Sequence, residues 1–419
     1  MHVVVQLGLL AFAHGLGKVV AQAPPAEYSG NNNIGSGGTN FKDSPHFRFF
    51  NLPSTSVDSA IKMMEAAQQC FVNTLGWRTA GLPYSANNSG PYYKINIYGV
   101  AESDIPGAAA QQWTDAKIGV AYIKVVPKYV AEPTVIVHEF GHAMTYSEHQ
   151  WVDQGRTGAW WETVAQFVAD TFITSSLCES ARTQYGQPEG NSMINVKKVI
   201  GDSFQPIVDG TSKTGNYYEA WPFLSYITFN PDNYTGIGTN ALRDMFRKYK
   251  TNSNETPLHV LNRNVAPLTA QNIVGRYWAR MAFVDIGSPK AQQAFTKARS
   301  SLNYANLDST GTGTYRVKSS RQPQYMGANI IPLKNPGQVS VNITSTGTFT
   351  ATLSIRAKSG TVRYIDLKNG SGQATVESGE EASIVVANTP ALALYDPFSL
   401  TAEVKKGLDY TLQLSGATA

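Results

Sequence analysis

The chain has 419 residues, 42% hydrophobic and 15% charged, enough for two or three globular domains and unlike a disordered acidic or basic chain. Its net charge is +4, from 34 basic against 30 acidic residues, with no block of Lys or Arg. That balance excludes nucleic acid and charged membrane surfaces as expected partners.

Residues 3–13 form an apolar run, followed by small residues at Ala21 and Ala23, which reads as a secretory signal over residues 1–23. Cleavage after Ala21 fits as well as cleavage after Ala23, because Pro24 hinders the latter. His14 and Lys18 cut the run short of a membrane span, and no later run is long enough to cross a bilayer. Residues 24–45, rich in Pro, Gly, Asn and Ser, read as a flexible lead-in. A strand is expected over 47–50. Ser54 to Asp58 offer caps for a helix reaching Leu75, with Ile61, Met64, Phe71 and Leu75 at helical spacing. Alternation predicts strands over 93–98 and 119–126. Pro133 sits where a helix over 134–147 begins, and a second helix is expected over 160–174. Further helices are expected over 217–228, 239–249, 269–283 and 289–302. That order suits an N-terminal α/β lobe and a helical lobe with a cleft between them.

The composition changes after residue 305. Residues 306–330 read as a linker. Short alternating segments over 339–344, 349–357, 362–367, 382–387 and 410–414 predict a β-sandwich over 331–419. Cys70 and Cys178, the only cysteines, are expected as one disulfide in an oxidising compartment, which fits a secreted, extracellular protein. Asn-x-Ser/Thr acceptors stand at Asn87, Asn233, Asn254, Asn342 and Asn369, as glycosylation sites would.

The chemistry concentrates in His138-Glu139-Phe140-Gly141-His142. On a helix, residues four apart share a face, so both imidazoles can meet one ion, and Glu139 can reach a water rather than the metal. The preceding Val135-Ile136-Val137 is apolar, as a buried helix requires. Glu162 lies 20 positions after His142, beyond a loop containing Gly155 and Gly158, on a helix whose Trp160, Trp161, Val164, Phe167, Val168 and Phe172 face a core. A different stripe carries Glu162, Ala165, Gln166 and Ala169, whose small residues let two helices approach. Two imidazoles and one carboxylate suit Zn²⁺.

This pattern resembles the gluzincins, the thermolysin-like zinc metallopeptidases, within a looser resemblance to secreted fungal and bacterial zincin-like proteins of largely uncharacterised function. The resemblance implies an α+β zincin-like catalytic domain over 46–305, zinc on His138, His142 and Glu162, and Glu139 as the acid/base. Thermolysin-like enzymes carry an Asp four residues after the ligand Glu to orient a zinc histidine. Gln166 holds that place, with Asp170 two turns on as a substitute. In metzincins the third ligand is a His, where Glu148 stands here beside His149; Thr145 replaces the Gly of that pattern. Tyr218, Tyr217 and His259 are candidates for stabilising an oxyanion, with Tyr218 first because Trp221 anchors its helix. Strand 119–126 resembles the edge strand on which zincins pair an extended peptide; a core strand would read the same way. The expected activity is a monomeric, secreted peptidase acting on peptide or protein substrates. A zinc hydrolase of glycans or other non-peptide bonds, and a non-catalytic zinc-binding secreted protein, remain as alternatives.

Overall fold

The computed structural model describes residues 24–211 and 214–419, so the signal reading of residues 1–23 lies outside them. Among the described residues no helix is long and apolar enough to cross a membrane. The fold is mixed α/β with a β-rich C-terminal region.

The first sheet is built from β1 (Phe41–Asp43), β2 (Phe47–Phe50), β3 (Ile95–Gly99), β4 (Ala110–Asp115) and β5 (Val120–Val125), in the order β1-β2-β3-β5-β4. The β2-β3 and β3-β5 pairs are parallel, and β4 returns antiparallel to β5. Alternation sorts its side chains. Phe47, Phe49, Ile95, Ile97 and Ile123 are all buried, and the Phe47 ring lies 5.7 Å from Phe140 on the helical side. On the opposite face Phe50 stacks on Tyr98 at 4.6 Å.

That second face corrects the reading of residues 24–45 as a flexible lead-in. Tyr28 and Ile34 are fully buried, Asn96 Nδ2 donates to the Asn31 and Ile34 carbonyls, and Tyr98 Oη donates to Ile34 O. A turn-rich composition reports local geometry and says nothing of a distant tyrosine that satisfies the segment's backbone.

Helix α1 (Ser54–Gln68) continues as a wider π-type turn over Gln69–Thr74, which carries Cys70. Two central helices follow, α2 (Pro133–Ser147) and α3 (Trp160–Thr174). Then come α4 (Glu179–Gln184), α5 (Val196–Gly201), α6 (Asn216–Glu219), α7 (Trp221–Phe229), α8 (Ala241–Arg247), α9 (Pro257–Asn264), α10 (Ala270–Met281) and α11 (Pro289–Ala298). The expected helix over 217–228 is two pieces broken at Ala220, because Pro222 has no N–H to continue the ladder. Cys70 and Cys178 form the expected disulfide, tying the end of α1 to the turn before α4.

Residues 306–330 are not a linker. They supply β6 (Leu307–Gly311), β7 (Thr314–Val317) and the start of β8 (Ala328–Pro332). The remaining strands are β9 (Gln338–Thr344), β10 (Phe349–Arg356), β11 (Val362–Asp366), β12 (Ser371–Thr375), β13 (Glu381–Asn388) and β14 (Thr411–Ser415), with a short helix α12 (Ala402–Lys405) before the last. They form two sheets, β11-β10-β13-β8 and β12-β9-β14-β7-β6. Both faces of the first are apolar. Leu353, Ile355, Ile384 and Val386 pack on the second sheet, while Ile330, Val385 and Ala387 join the core of the helical part. Helix α10 seals this junction. Its Gly275 lies so close to β10 that a Cβ there would meet Thr350 Oγ1 at 2.2 Å, and Trp278 Nε1 donates to Met326 O.

Candidate metal centre

Pro133 stands in the first turn of α2, where a missing N–H costs nothing. Ile136, Val137, Phe140, Ala143 and Met144 bury one side of that helix, and His138 and His142 fall on the side facing a cleft. Helix α3 buries Trp160, Val164, Phe167 and Val168 and brings Glu162 to the same cleft. The approach depends on small residues. A Cβ on Gly141 would lie 2.9 Å from Ala165 Cα and 3.1 Å from Val168 Cβ.

Three atoms converge there. His138 Nε2 is 3.1 Å from Glu162 Oε2, His142 Nε2 is 3.2 Å from the same oxygen, and the two imidazole nitrogens are 3.1 Å apart. Tetrahedral Zn²⁺ with bonds of 2.0–2.1 Å separates its ligand atoms by about 3.3–3.4 Å, so the triangle matches that donor set. Three lone-pair carriers facing one point are a poor hydrogen-bond arrangement and a good cation cradle. The residues present fit a zinc ion. Burial pushes the Glu162 carboxyl up, but the two histidines outweigh it and hold it well below the usual carboxylate range.

Glu139, on the same helix, is buried and lines the cleft. Burial pushes its carboxyl up to about 7; the charge on His138 opposes the shift and that on Glu162 adds to it. The remaining lining is Ala108, Ala110, Gln111, Gln112, Trp161 and Tyr218, around a volume of about 420 Å³. The Tyr218 ring lies 6.4 Å from that of His138, nearly parallel to it. Burial, then the nearby Glu162, push its phenol well above the ordinary value, so it stays protonated as a donor.

The edge strand beside the cleft is β4, and not 119–126, which lies between β3 and β4 in the sheet. Val126 N donates to Ala109 O, so by antiparallel alternation Ala110, Gln112 and Thr114 turn their backbone groups away from β5. The backbone of Gln112 faces the Glu139 carboxylate. Sequence reasoning missed β4 because Ala-Gln-Gln-Trp-Thr-Asp has no apolar alternation.

Several expected roles fall elsewhere. Gln166 Oε1 is buried without a hydrogen-bond partner, so it orients neither histidine. Asp170 faces a different segment. Ser192 Oγ and Met193 N donate to its Oδ1 at 2.8 and 2.6 Å, and Thr174 Oγ1 to its Oδ2 at 3.2 Å. Burial, against these bonds, pushes its pKa up to about 6. Glu148 is buried in a bidentate pair with Arg247, at 2.8 and 3.0 Å, and accepts Arg78 N–H, so the metzincin assignment fails. His149 sits in the turn that follows, with φ 55°. His259 Nδ1 bonds Thr256 Oγ1 on α9, outside the cleft lining. Tyr217 accepts Thr163 Oγ1 at its carbonyl and packs its ring 4.5 Å from Tyr218. Of the acceptor asparagines, Asn87, Asn233, Asn254 and Asn369 are exposed. Asn342 is half-buried in β9 and donates to Gln413 Oε1.

Two central helices carrying a His/His/Glu cluster beside the open edge of a mixed sheet define the class as a mixed α/β protein with one candidate metal cluster among the described residues. The chain belongs to DUF6055, a family of unknown function, whose match covers residues 37–365 and so runs through the cluster into the sandwich. No curated protein matches the chain.

Proposed function

We propose that the protein is a zinc-dependent hydrolase of peptide bonds, secreted into an oxidising compartment. The observation that carries this reading is the convergence of His138, His142 and Glu162 with a buried, separately held Glu139 on the same cleft. A purely structural zinc closes its shell with four protein ligands and needs no acid beside it. A bound Zn²⁺ supplies Lewis acidity, making a water nucleophilic near neutral pH and polarising a carbonyl. The chain's own groups do the rest. Glu139 takes the proton of the attacking water as the O–C bond forms, and returns it to the amine nitrogen as the C–N bond breaks. Tyr218 donates its O–H to the developing oxyanion. The outward backbone groups of Ala110 and Thr114, with the Gln112 carbonyl, offer an antiparallel ladder to an extended chain, which favours peptides over sugars. The Cys70–Cys178 bridge supports the oxidising compartment.

The test sets zinc-loaded wild type against Glu139→Gln on a mixed library of unfolded peptides, read by mass spectrometry. Wild type is expected to cleave, and the variant to fall by about 10²–10⁴-fold while keeping its zinc. Zinc bound by both and cleavage by neither would sink the peptidase reading and turn attention to glycan and ester bonds.

A further inference from the structure

Phe398, in the sandwich segment between β13 and α12, is 51% exposed, yet its ring fills space that two glycines leave open. A Cβ on Gly158 would lie 2.8 Å from that ring, and a Cβ on Gly210 2.7 Å from it and 2.9 Å from the Ala159 methyl. The ring is therefore wedged against two segments that touch each other. Hydrogen bonds hold the wedge in place. Gly210 N donates to Pro397 O at 2.9 Å, buried Tyr395 Oη donates to Val208 O at 3.2 Å, and Phe398 N donates to Asp396 Oδ1.

Both gripped segments lead directly into the cleft. Gly158 O accepts from Trp161 N, the residue before Glu162. Asp209 O accepts from Tyr217 N, the residue before Tyr218. The two are cross-linked, since Thr163 Oγ1 donates to Tyr217 O at 2.6 Å. The Phe398 ring is 6.1 Å from Tyr217, whose own ring packs on Tyr218. Phe398 is absent from the cleft lining, so whatever it does, it does through these neighbours.

We propose that the sandwich loop Tyr395–Phe398 is a positioning element of the metal centre, with Phe398 fixing the placement of Glu162 and Tyr218. The sandwich is thus part of the working site and not an appendage for binding elsewhere. A shift of one ångström at a reacting group costs about 100-fold in rate, and loss of an outer partner of a ligand costs about 10–100-fold in metal affinity, so a wedge of this kind is chemically consequential. The kinetic effect rests on the hydrolase reading above; the effect on backbone order does not.

The test uses the full chain as Phe398→Ala and Phe398→Leu. Hydrogen exchange over 158–163, 208–211 and 214–218 is expected to quicken by about 5-fold or more in the Ala variant, to recover in the Leu variant, and to stay unchanged at α8 and α9. Zinc affinity, measured by chelator competition, is expected to fall about 10-fold in the Ala variant. With active enzyme at saturating zinc, kcat should fall about 10-fold with KM little changed, and the loss should shrink in a Tyr218→Phe background, because part of it acts through that phenol. Unchanged exchange in both segments overturns the proposal. So does faster exchange with unaltered zinc affinity and kcat, or a kinetic loss that multiplies with Tyr218→Phe. If wild type cleaves no peptide, the hydrolase reading fails on its own; faster exchange with weaker zinc binding then still upholds the positioning role, and unchanged values still overturn it.

Discussion

Helix α3 carries two acids two turns apart, and they have opposite surroundings. Glu162 has a side chain 26% exposed to a cleft and meets two imidazole nitrogens. Asp170 is 2% exposed and meets a backbone N–H and two hydroxyls. Donors that carry their own protons satisfy a carboxylate and leave nothing for an ion. Lone-pair carriers that crowd a carboxylate call for a shared cation. Burial raises both; at Glu162 a proton held by the two histidines, in the place a shared cation would take, outweighs it, and at Asp170 the hydrogen bonds fail to offset it. What surrounds a carboxylate, and not its place on a helix, separates a candidate ligand from a structural pin.

The strongest way to break that comparison is to neutralise each acid in turn. Glu162→Gln is expected to lower zinc affinity by more than about 100-fold, beyond what loss of an outer partner costs. Asp170→Asn is expected to leave it within about 3-fold, since it touches no ligand, by the same chelator competition. Next in size is the helix contact. Gly141→Ala forces α2 from Ala165 and Val168 and should cost about 1–3 kcal/mol by denaturant unfolding, with zinc affinity lowered as the triangle opens.

A smaller effect lies in pH. The folded pKa of Asp170, about 6, lies above its ordinary 3.8, so its contribution to stability is full below about 3.8 and is lost as pH rises through about 6. Melting curves at pH 4 and 7 should therefore show wild type losing about 2–3 °C relative to Asp170→Asn over that interval. Equal pH slopes for the two proteins would contradict the assignment. Smallest of all, Gln166→Met should change zinc affinity by less than about 2-fold and leave stability level or slightly raised, because Oε1 is buried without a partner. A large loss of zinc would restore Gln166 to the role that its position suggests.

The sequence made the triad legible because its signal is local. The four-residue spacing of His138 and His142, the Pro133 start and the small stripe on α3 all follow from helix geometry. Cys70 and Cys178 were legible by count. What failed was anything set by distant partners. Residues 24–45 are ordered by Tyr98 and Asn96, far along the chain. Strands β6 and β7 are polar, with one buried residue, Val317, between them, so no alternation marks them. The role of Asp170 is set by Ser192 and Met193 in a loop without a motif. Phe398 gave no signal, since a single aromatic in a loop carries none.

The most direct measurement is zinc-edge X-ray absorption on the metal-loaded protein, with His142→Ala beside it. The expected spectrum has two imidazoles and oxygen at about 2.0–2.1 Å, no sulfur, one zinc per chain, and loss of an imidazole or of the metal in the variant. No retained zinc in wild type, or a spectrum unchanged by His142→Ala, would contradict a metal centre on His138, His142 and Glu162.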